Sequence, residues 1–285
     1  MPGTKLNSMK ANSKNVLLIT GAFVSHTCWD EWIKYFGEKG YNALAPPWPF
    51  KDGTAKELRD RQPYDIGLAM LTLQQLIDYY AGIAKSFPEK PIIIGHSLGG
   101  MIAQILVNRD LAAAGIAVHS VPPLGVIPYE FTFLKSGWKV LGFFSSVKKT
   151  YLMSFPKFQY AFVNGLPLSV QKEAYEKYVI PESKTVARGG LTADAAVDFK
   201  KNHAPLLFVA GSKDQFLSPH LITRNFNKYR RNGSVIDYKE FKGTNHNVLL
   251  LDSWKENADY ILCWIDAVLP DPKYTVGKVL SNTIY

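Results

Sequence analysis

The sequence contains few cysteines: Cys28 and Cys263 are the two present among 285 residues. This number excludes the class of small secreted proteins that depend on several disulfides for their stability. Cys263 lies in the apolar helical stretch 261–265, which favours a buried free thiol over a disulfide with Cys28. No group of cysteines and histidines has the spacing of a metal site, so we expect no metal and no cofactor.

The sequence also lacks a long apolar run. A membrane-spanning helix needs about 20 consecutive apolar residues, and no stretch of this chain reaches that length. The polar residues 1–14 have no apolar centre of the kind that a signal peptide carries. We therefore expect a flexible N-terminal segment at 1–14, a C-terminal tail at 270–285, and a cytoplasmic protein with no stable membrane insertion.

Positive charge is in excess but it is not concentrated. The formal net charge is +9, yet the densest basic groups are the isolated pairs at 148–149, 200–201 and 230–231. No motif of a nucleic-acid-binding module accompanies them, so nucleic acid is not an expected partner. A solvated basic surface is the favoured interpretation, while weak attraction to anionic substrates or membrane surfaces stays open. Nothing in the sequence indicates the oligomeric state.

The chain does contain a short apolar strand pattern at 91–94, followed by Gly-His-Ser-Leu-Gly at 95–99 and an apolar helical pattern at 101–107. A strand, a Gly-x-Ser-x-Gly turn and a helix form a nucleophile elbow, in which a strained serine stands above the sheet edge. The helix that begins at Leu98 directs its free N–H groups toward any oxyanion formed there. We predict that Ser97 is a nucleophile rather than part of an ordinary glycine-serine turn.

A nucleophilic serine requires a base and an acid that orients the base. Asp214 lies in the turn after the apolar strand pattern 206–210, and His246 lies in the loop after the alternating pattern 235–241. Taken separately, Asp214 could be a turn aspartate and His246 could be a surface histidine. Because both follow strands, as Ser97 does, we predict that the three form a catalytic triad. Asp252 is the alternative acid, although its position suits a helix N-cap better.

The order Ser97, Asp214, His246 resembles the order in the α/β-hydrolase superfamily, and the similarity extends over about residues 15–269. The strand pattern that leads into Gly21 and Ala22 also resembles this family. The resemblance implies an oxyanion hole made by the backbone N–H groups of Ala22 and Leu98, with Phe23 as the alternative one residue later. Thr20 replaces the histidine usual at that position, which should change the support of the loop more than its donors.

The hydrophobic pattern predicts the α/β class, with a doubly wound, mainly parallel sheet of about six strands and one crossover helix over 66–87. A further helix is predicted over 258–268. The core of this α/β-hydrolase fold is expected at 15–120 and 205–269. The six strand patterns lie at 16–20, 42–45, 91–94, 117–120, 206–210 and 235–241.

Residues 121–204 form an insertion far longer than a crossover requires. In the family that this chain resembles, a cap follows the sixth strand of the family's numbering, which corresponds to this place. The segment is rich in aromatic residues, among them Trp138 and Phe144, and we expect a helical cap that roofs an apolar pocket. Trp48 and Phe50 either line that pocket or pack within their own loop. The full set of pocket candidates is Phe23, His96, Trp48, Phe50 and His119, with packing beside the nucleophile as the alternative for His96 and a structural role as the alternative for His119.

These features predict a serine hydrolase that cleaves a small to medium hydrophobic carboxylic ester through an acyl-enzyme. Lipases, thioesterases, amidases and C–C-bond hydrolases use the same triad and stay open as alternatives. A ligand receptor built on the same fold, without significant turnover, is the alternative from another class. Asn247 stands where hydroxynitrile lyases have lysine, which argues against that activity. Epoxide and haloalkane hydrolases are excluded because they need aspartate in place of Ser97.

Overall fold

The structure is a computed structural model that describes residues 13–133, 135, 141–143, 145–230 and 233–269. The predicted segment at 1–14 lies outside the described residues except for its last two positions, and the predicted tail at 270–285 lies wholly outside them. Trp138 and Phe144 of the insertion also lie outside the described residues, as does the second arginine of the pair 230–231.

In the described part of the chain, one sheet of six parallel strands has the order β2-β1-β3-β4-β5-β6. The direction of winding reverses between β1 and β3, so the carboxyl ends of these two strands flank a crevice where ligands bind in such sheets. The predicted doubly wound α/β fold is confirmed. The strands are β1 Asn15–Ile19, β2 Asn42–Leu44, β3 Ile92–His96, β4 Ala114–Val118, β5 Leu206–Gly211 and β6 Ile236–Phe241.

The strands in the middle of the sheet are buried on both faces, which is why they are continuous apolar runs. Strand β4 covers 114–118 rather than the predicted 117–120. Ala114 and Gly115 have a low strand propensity, but small residues suit the close packing of this strand. A Cβ atom on Gly115 would lie 2.4 Å from a methyl carbon of Val107, so the strand packs against its helix only with glycine there.

Helices cover both faces of the sheet. Five precede β4: α1 Asp30–Glu38, α2 Ala55–Asp60, α3 Ile66–Met70, α4 Leu73–Ser86 and α5 Leu98–Asn108. The prediction of one helix over 66–87 is wrong, because Thr72 begins a new helix. The Thr72 hydroxyl accepts the Gln75 N–H at 3.1 Å, and the Gln75 side chain accepts the Thr72 N–H at 2.9 Å. This capping box is legible in the sequence as Thr-x-x-Gln.

The insertion between β4 and β5 is helical over α6 Phe155–Ala161, α7 Leu168–Tyr178 and α8 Lys184–Gly189. Two more helices, α9 Pro219–Lys228 and α10 Trp254–Val268, follow β5 and β6. Buried apolar residues of the insertion, such as Phe158 and Val186, belong to the same continuous core as the sheet. The described part of the insertion is therefore packed on the sheet, and its function as a cap stays a prediction.

The two cysteines are both free thiols. Cys28 is buried, whereas Cys263 is exposed on α10, so the prediction of a buried thiol at Cys263 is wrong. Its neighbours Leu262 and Trp264 are buried, but Cys263 lies on the outward face of the helix. Among the described residues, no helix is both long and apolar enough to cross a membrane.

Candidate active site

Ser97 occupies the sharp turn between β3 and α5, with a φ of 56° and a ψ of −119°. Such angles are strained for a residue with a side chain, and they are typical of functional sites. The flanking glycines make the turn possible. A Cβ atom on Gly95 would lie 2.0 Å from the Gly99 carbonyl oxygen, and one on Gly99 would lie 2.1 Å from the Ile19 carbonyl oxygen.

The structure brings Ser97, His246 and Asp214 into one buried chain of hydrogen bonds. The Oγ atom of Ser97 is 3.1 Å from His246 Nε2, and His246 Nδ1 is 2.7 Å from Asp214 Oδ2. An ionised carboxylate only accepts hydrogen bonds, so Nδ1 must carry the proton and Nε2 is left with its lone pair. His246 can therefore accept the proton of the Ser97 hydroxyl.

The carboxylate of Asp214 is held by four donors. Its Oδ1 atom accepts the N–H groups of Phe216 at 2.8 Å and Leu217 at 2.7 Å. Its Oδ2 atom accepts His246, and also His119 Nδ1 at 2.8 Å. Burial alone would raise the pKa of Asp214, but the two imidazoles outweigh it and hold that pKa below its usual value. Asp214 is therefore ionised across the physiological range.

The second histidine on Asp214 is the main feature of the site that sequence reasoning missed. His119 follows β4 with a φ of 44° and is completely buried. Burial lowers the pKa of His119, so the imidazole is neutral and donates through Nδ1. Because it faces Asp214, its prediction as a pocket residue is wrong. Its position at the carboxyl end of a strand was the available signal, and only the fold shows which partner it reaches.

The spacing of three side chains resembles that of a metal site: the ligand atoms of His119, Asp214 and His246 lie within 4.8 Å of one another. The distances of 2.7 and 2.8 Å from Asp214 Oδ2 to the two Nδ1 atoms are those of hydrogen bonds. The protons of these bonds occupy the nitrogen lone pairs that a metal would need. The arrangement fits a proton-transfer site, and the expectation of no metal or cofactor stays a prediction.

The loop after β1 lies directly against the nucleophile. A Cβ atom on Gly21 would be 2.7 Å from the Cβ of Ser97. The backbone N–H of Phe23 donates to Oε2 of Glu182 at 2.9 Å, so it is already used. Within the described residues, no acceptor contacts the N–H of Ala22. The geometry therefore favours the pair Ala22 and Leu98 over the alternative with Phe23.

Ser97 opens into a cavity of about 290 Å³ that Ala22, Phe23 and Leu98 also border. The far walls are the loop 121–128 together with residues of the insertion such as Ala187 and Leu191. Among the described residues that line it, Ser97 alone has a polar side chain. The cavity therefore offers one nucleophile in otherwise apolar surroundings.

Two aromatic pocket candidates lie elsewhere. Trp48 is buried, and its Nε1 donates to the Thr20 carbonyl oxygen at 3.1 Å. Its ring packs against the Lys51 ammonium. Phe50 is half exposed and packs beside Gly67. Of the two alternatives predicted for these residues, the structure supports packing within their own loop and its neighbours, and neither side chain lines the described cavity. Phe23 lines the cavity.

Asp252 lies outside the hydrogen-bonded chain. Its side chain is exposed, while the acid that contacts His246 is Asp214. The interpretation of Asp252 as a helix N-cap is also wrong, since the residue at the N-cap of α10 is Ser253.

His96 was a pocket candidate too, but it packs behind the triad rather than in the cavity. Its Nε2 atom lies 3.0 Å from the His246 carbonyl oxygen, and the two rings are 4.7 Å apart. Burial and then the neighbouring His246 and His119 lower the pKa of His96 well below its usual 6.5. His96 is therefore neutral in the folded protein.

This lowered pKa predicts a pH dependence of stability. Below about pH 6.5 the unfolded chain binds a proton at His96, whereas the folded protein does not. The free energy of unfolding therefore decreases as the pH is lowered. We expect His96→Gln, which keeps an N–H donor, to reduce this slope by up to about 1.4 kcal/mol per pH unit. Denaturant unfolding at pH 5, 6 and 7 measures it, with the exposed His220→Gln as control. Equal slopes in the wild type and His96→Gln would contradict the assignment.

The fold and this site define a class of protein, the α/β hydrolases with a serine–histidine–aspartate chain. The sequence model of the Alpha/beta hydrolase family matches residues 16–259. The chain therefore belongs to the α/β hydrolase family. A comparison with curated protein sequences gave no significant match.

Solved structures of low sequence identity share the fold. The methylesterase MES16 from Arabidopsis is 13% identical with a TM-score of 0.63, covering 88% of this chain and 98% of its own. Tomato methylketone synthase I, in complex with 2-tridecanone, is 15% identical with a TM-score of 0.64, covering 90% and 99%. A pyrethroid hydrolase from Sphingobium faniae JZ-2 is 17% identical with a TM-score of 0.61, covering 89% and 97%.

Proposed function

We propose that the protein is a serine hydrolase that cleaves a small to medium hydrophobic carboxylic ester. The observation that carries the proposal is the chain from Ser97 through His246 to Asp214, which opens into an apolar cavity. Two of the solved structures that share the fold are described as a methylesterase and a pyrethroid hydrolase, which supports ester chemistry.

The geometry of the site supports the following reaction. Ser97 Oγ attacks the ester carbonyl carbon while His246 Nε2 takes the hydroxyl proton, and Asp214 stabilises the resulting imidazolium. The N–H groups of Ala22 and Leu98 stabilise the tetrahedral oxyanion. The C–O bond then breaks, and His246 returns its proton to the leaving alkoxide. Water attacks the acyl-enzyme with His246 as base again, which releases the acid and restores Ser97.

The cavity supports a neutral, apolar substrate. A charged group placed there would lose its hydration without finding a partner, because Ser97 is the single polar side chain among the described lining residues. Apolar surface removed from water contributes about 25 cal/mol per Å². The loop 121–128 supplies much of the wall, with Ala187 of α8 and Leu191 adding to it, which supports the view that residues 121–204 act as a cap.

The cavity predicts a preference for longer acyl groups that a single substitution should remove. Ala187 lines the cavity from α8, and a phenylalanine there would fill space that the acyl chain needs. We expect Ala187→Phe to lower kcat/KM for octanoate esters by about tenfold or more relative to acetate. Ala193→Phe, at an exposed position of the same segment, is the matched control.

Kinetics on acetate, butyrate and octanoate esters of one chromogenic alcohol provide the measurement. An unchanged ranking of chain lengths in Ala187→Phe would place the acyl group outside this cavity. Saturable binding of the esters by the wild type with no turnover would instead favour the alternative of a receptor. Thioesters and amides in the same panel distinguish the other hydrolase activities that this triad supports.

A further inference from the structure

A buried ion pair lies beside the oxyanion loop, defined here as residues 20–25. Lys51 Nζ is 2.6 Å from Oε2 of Glu182, and the two side chains are 3% and 0% exposed. The Lys51 ammonium also lies 3.6 Å from the centre of the Trp48 ring, whose own N–H holds the Thr20 carbonyl oxygen. The pair is therefore connected to the loop through Trp48.

The same carboxylate contacts the loop directly. Oε2 of Glu182 accepts the backbone N–H of Phe23 at 2.9 Å, and Oε1 accepts the N–H of Ser183 at 2.8 Å. The Oε2 atom therefore joins the Lys51 ammonium to one peptide group of the loop. That peptide group joins Phe23 to Ala22, the residue whose N–H is predicted to bind the oxyanion.

Phe23 needs such a restraint. Its φ is 71°, a left-handed conformation that is strained for a bulky side chain. Further bonds hold the loop to the insertion: Phe23 O accepts Ile180 N–H at 2.8 Å, and Ser25 N–H donates to Tyr178 O at 2.8 Å. A residue of the insertion, Glu182, therefore fixes the backbone of a core loop.

Stability does not explain this arrangement well. Removing two charges from water costs several kcal/mol per ion, and apolar residues of similar size are often as stabilising as a buried pair. A pair that also fixes one strained peptide group has a consequence that apolar residues cannot reproduce.

We propose that Lys51 and Glu182 are positioning residues for the oxyanion hole. Glu182 holds the Phe23 N–H, which turns the Ala22 N–H toward the carbonyl oxygen of a substrate bound to Ser97, and Lys51 keeps the Glu182 carboxylate in place. This inference rests on the proposed function, because an oxyanion forms only if Ser97 attacks a carbonyl.

Two double variants separate positioning from packing. Lys51→Met/Glu182→Met removes both charges and the acceptor while keeping the volume. Lys51→Met/Glu182→Gln removes both charges but keeps an amide oxygen that can accept the Phe23 N–H. A control, Arg59→Met, removes a guanidinium that ties α2 to the Val179 carbonyl oxygen and Glu176 without contacting residues 20–25.

The expected result is a selective loss of transition-state binding. The Met/Met variant should lose about ten- to a hundredfold in kcat with little change in KM, since misplacing one donor has that effect. Its affinity for an aliphatic trifluoromethyl ketone, which forms an oxyanion on addition of Ser97, should fall by the same factor. Its affinity for an aliphatic alcohol of equal length should not change. The Met/Gln variant should recover most of the loss. The control Arg59→Met should match the wild type in kcat, in affinity for the ketone and in affinity for the alcohol.

Other outcomes overturn the proposal. A Met/Met variant with wild-type kcat, or one that binds the ketone as tightly as the wild type, would show that the pair does not position the hole. If Met/Met does not fold, Lys51→Met/Glu182→Leu replaces it with a branched side chain of nearly equal volume, and failure of both to fold would make the pair's role structural. Failure of the proposed function is distinguishable, because the wild type would then turn over no ester.

Discussion

Replacing Ser97 with alanine should abolish ester turnover, with a fall in kcat of about six orders of magnitude. The substitution removes the atom that attacks the carbonyl and leaves His246 and Asp214 in place. The fold should persist, because alanine is smaller and the hydrogen bond recorded for the Ser97 hydroxyl within the described residues is the one with His246. Steady-state kinetics on a butyrate ester measure the loss, and circular dichroism monitors the fold.

A second buried serine provides the control. Ser120 follows β4, and its hydroxyl accepts the Gln104 side chain at 2.8 Å and donates to the Val121 carbonyl oxygen at 2.8 Å. Ser120→Ala removes an equally buried hydroxyl without removing the nucleophile, so turnover should be retained. Comparable losses in both variants would mean that the Ser97 effect comes from the fold of the turn and not from the reaction.

Replacing Asp214 with asparagine should lower kcat by about four orders of magnitude. The N–H groups of Phe216 and Leu217 require an acceptor, so the asparagine oxygen should face them and its NH₂ group should face the two imidazoles. His246 Nδ1 must then accept a hydrogen bond, which moves the proton to Nε2. In that tautomer His246 cannot take the proton of Ser97.

The matched control for this variant is Asp252→Asn, at the exposed aspartate just after the histidine loop. It removes the same charge outside the hydrogen-bonded chain and should leave kcat unchanged. Kinetics across a range of pH measure both variants. Turnover of Asp214→Asn within about tenfold of the wild type would show that orientation of His246 depends on another group.

The parts of the site predicted from the sequence are those with local patterns. Ser97 is marked by a strand, two glycines and a helix, and Asp214 and His246 each follow a strand pattern. In a parallel sheet all carboxyl ends share one edge, so three such positions converge without any knowledge of the tertiary contacts. The same reasoning predicted six strands and their approximate bounds.

The parts that were missed depend on contacts between residues distant in the sequence. Glu182 reaches Phe23 across 159 positions and Lys51 across 131, and no local pattern encodes either contact. Trp48 was a candidate for the pocket wall, but the direction of its side chain depends on Thr20 and Lys51. The break at Thr72, in contrast, was encoded locally by a capping box and overlooked.

The most direct test of the central claim, that Ser97 is the nucleophile, is covalent labelling with a fluorophosphonate. Ser97 Oγ displaces fluoride from phosphorus with His246 as base, as it would attack an ester. Intact mass and peptide mapping should find one adduct per chain, on Ser97, and no adduct in Ser97→Ala. An adduct on any other residue, or undiminished labelling of Ser97→Ala, would contradict the account.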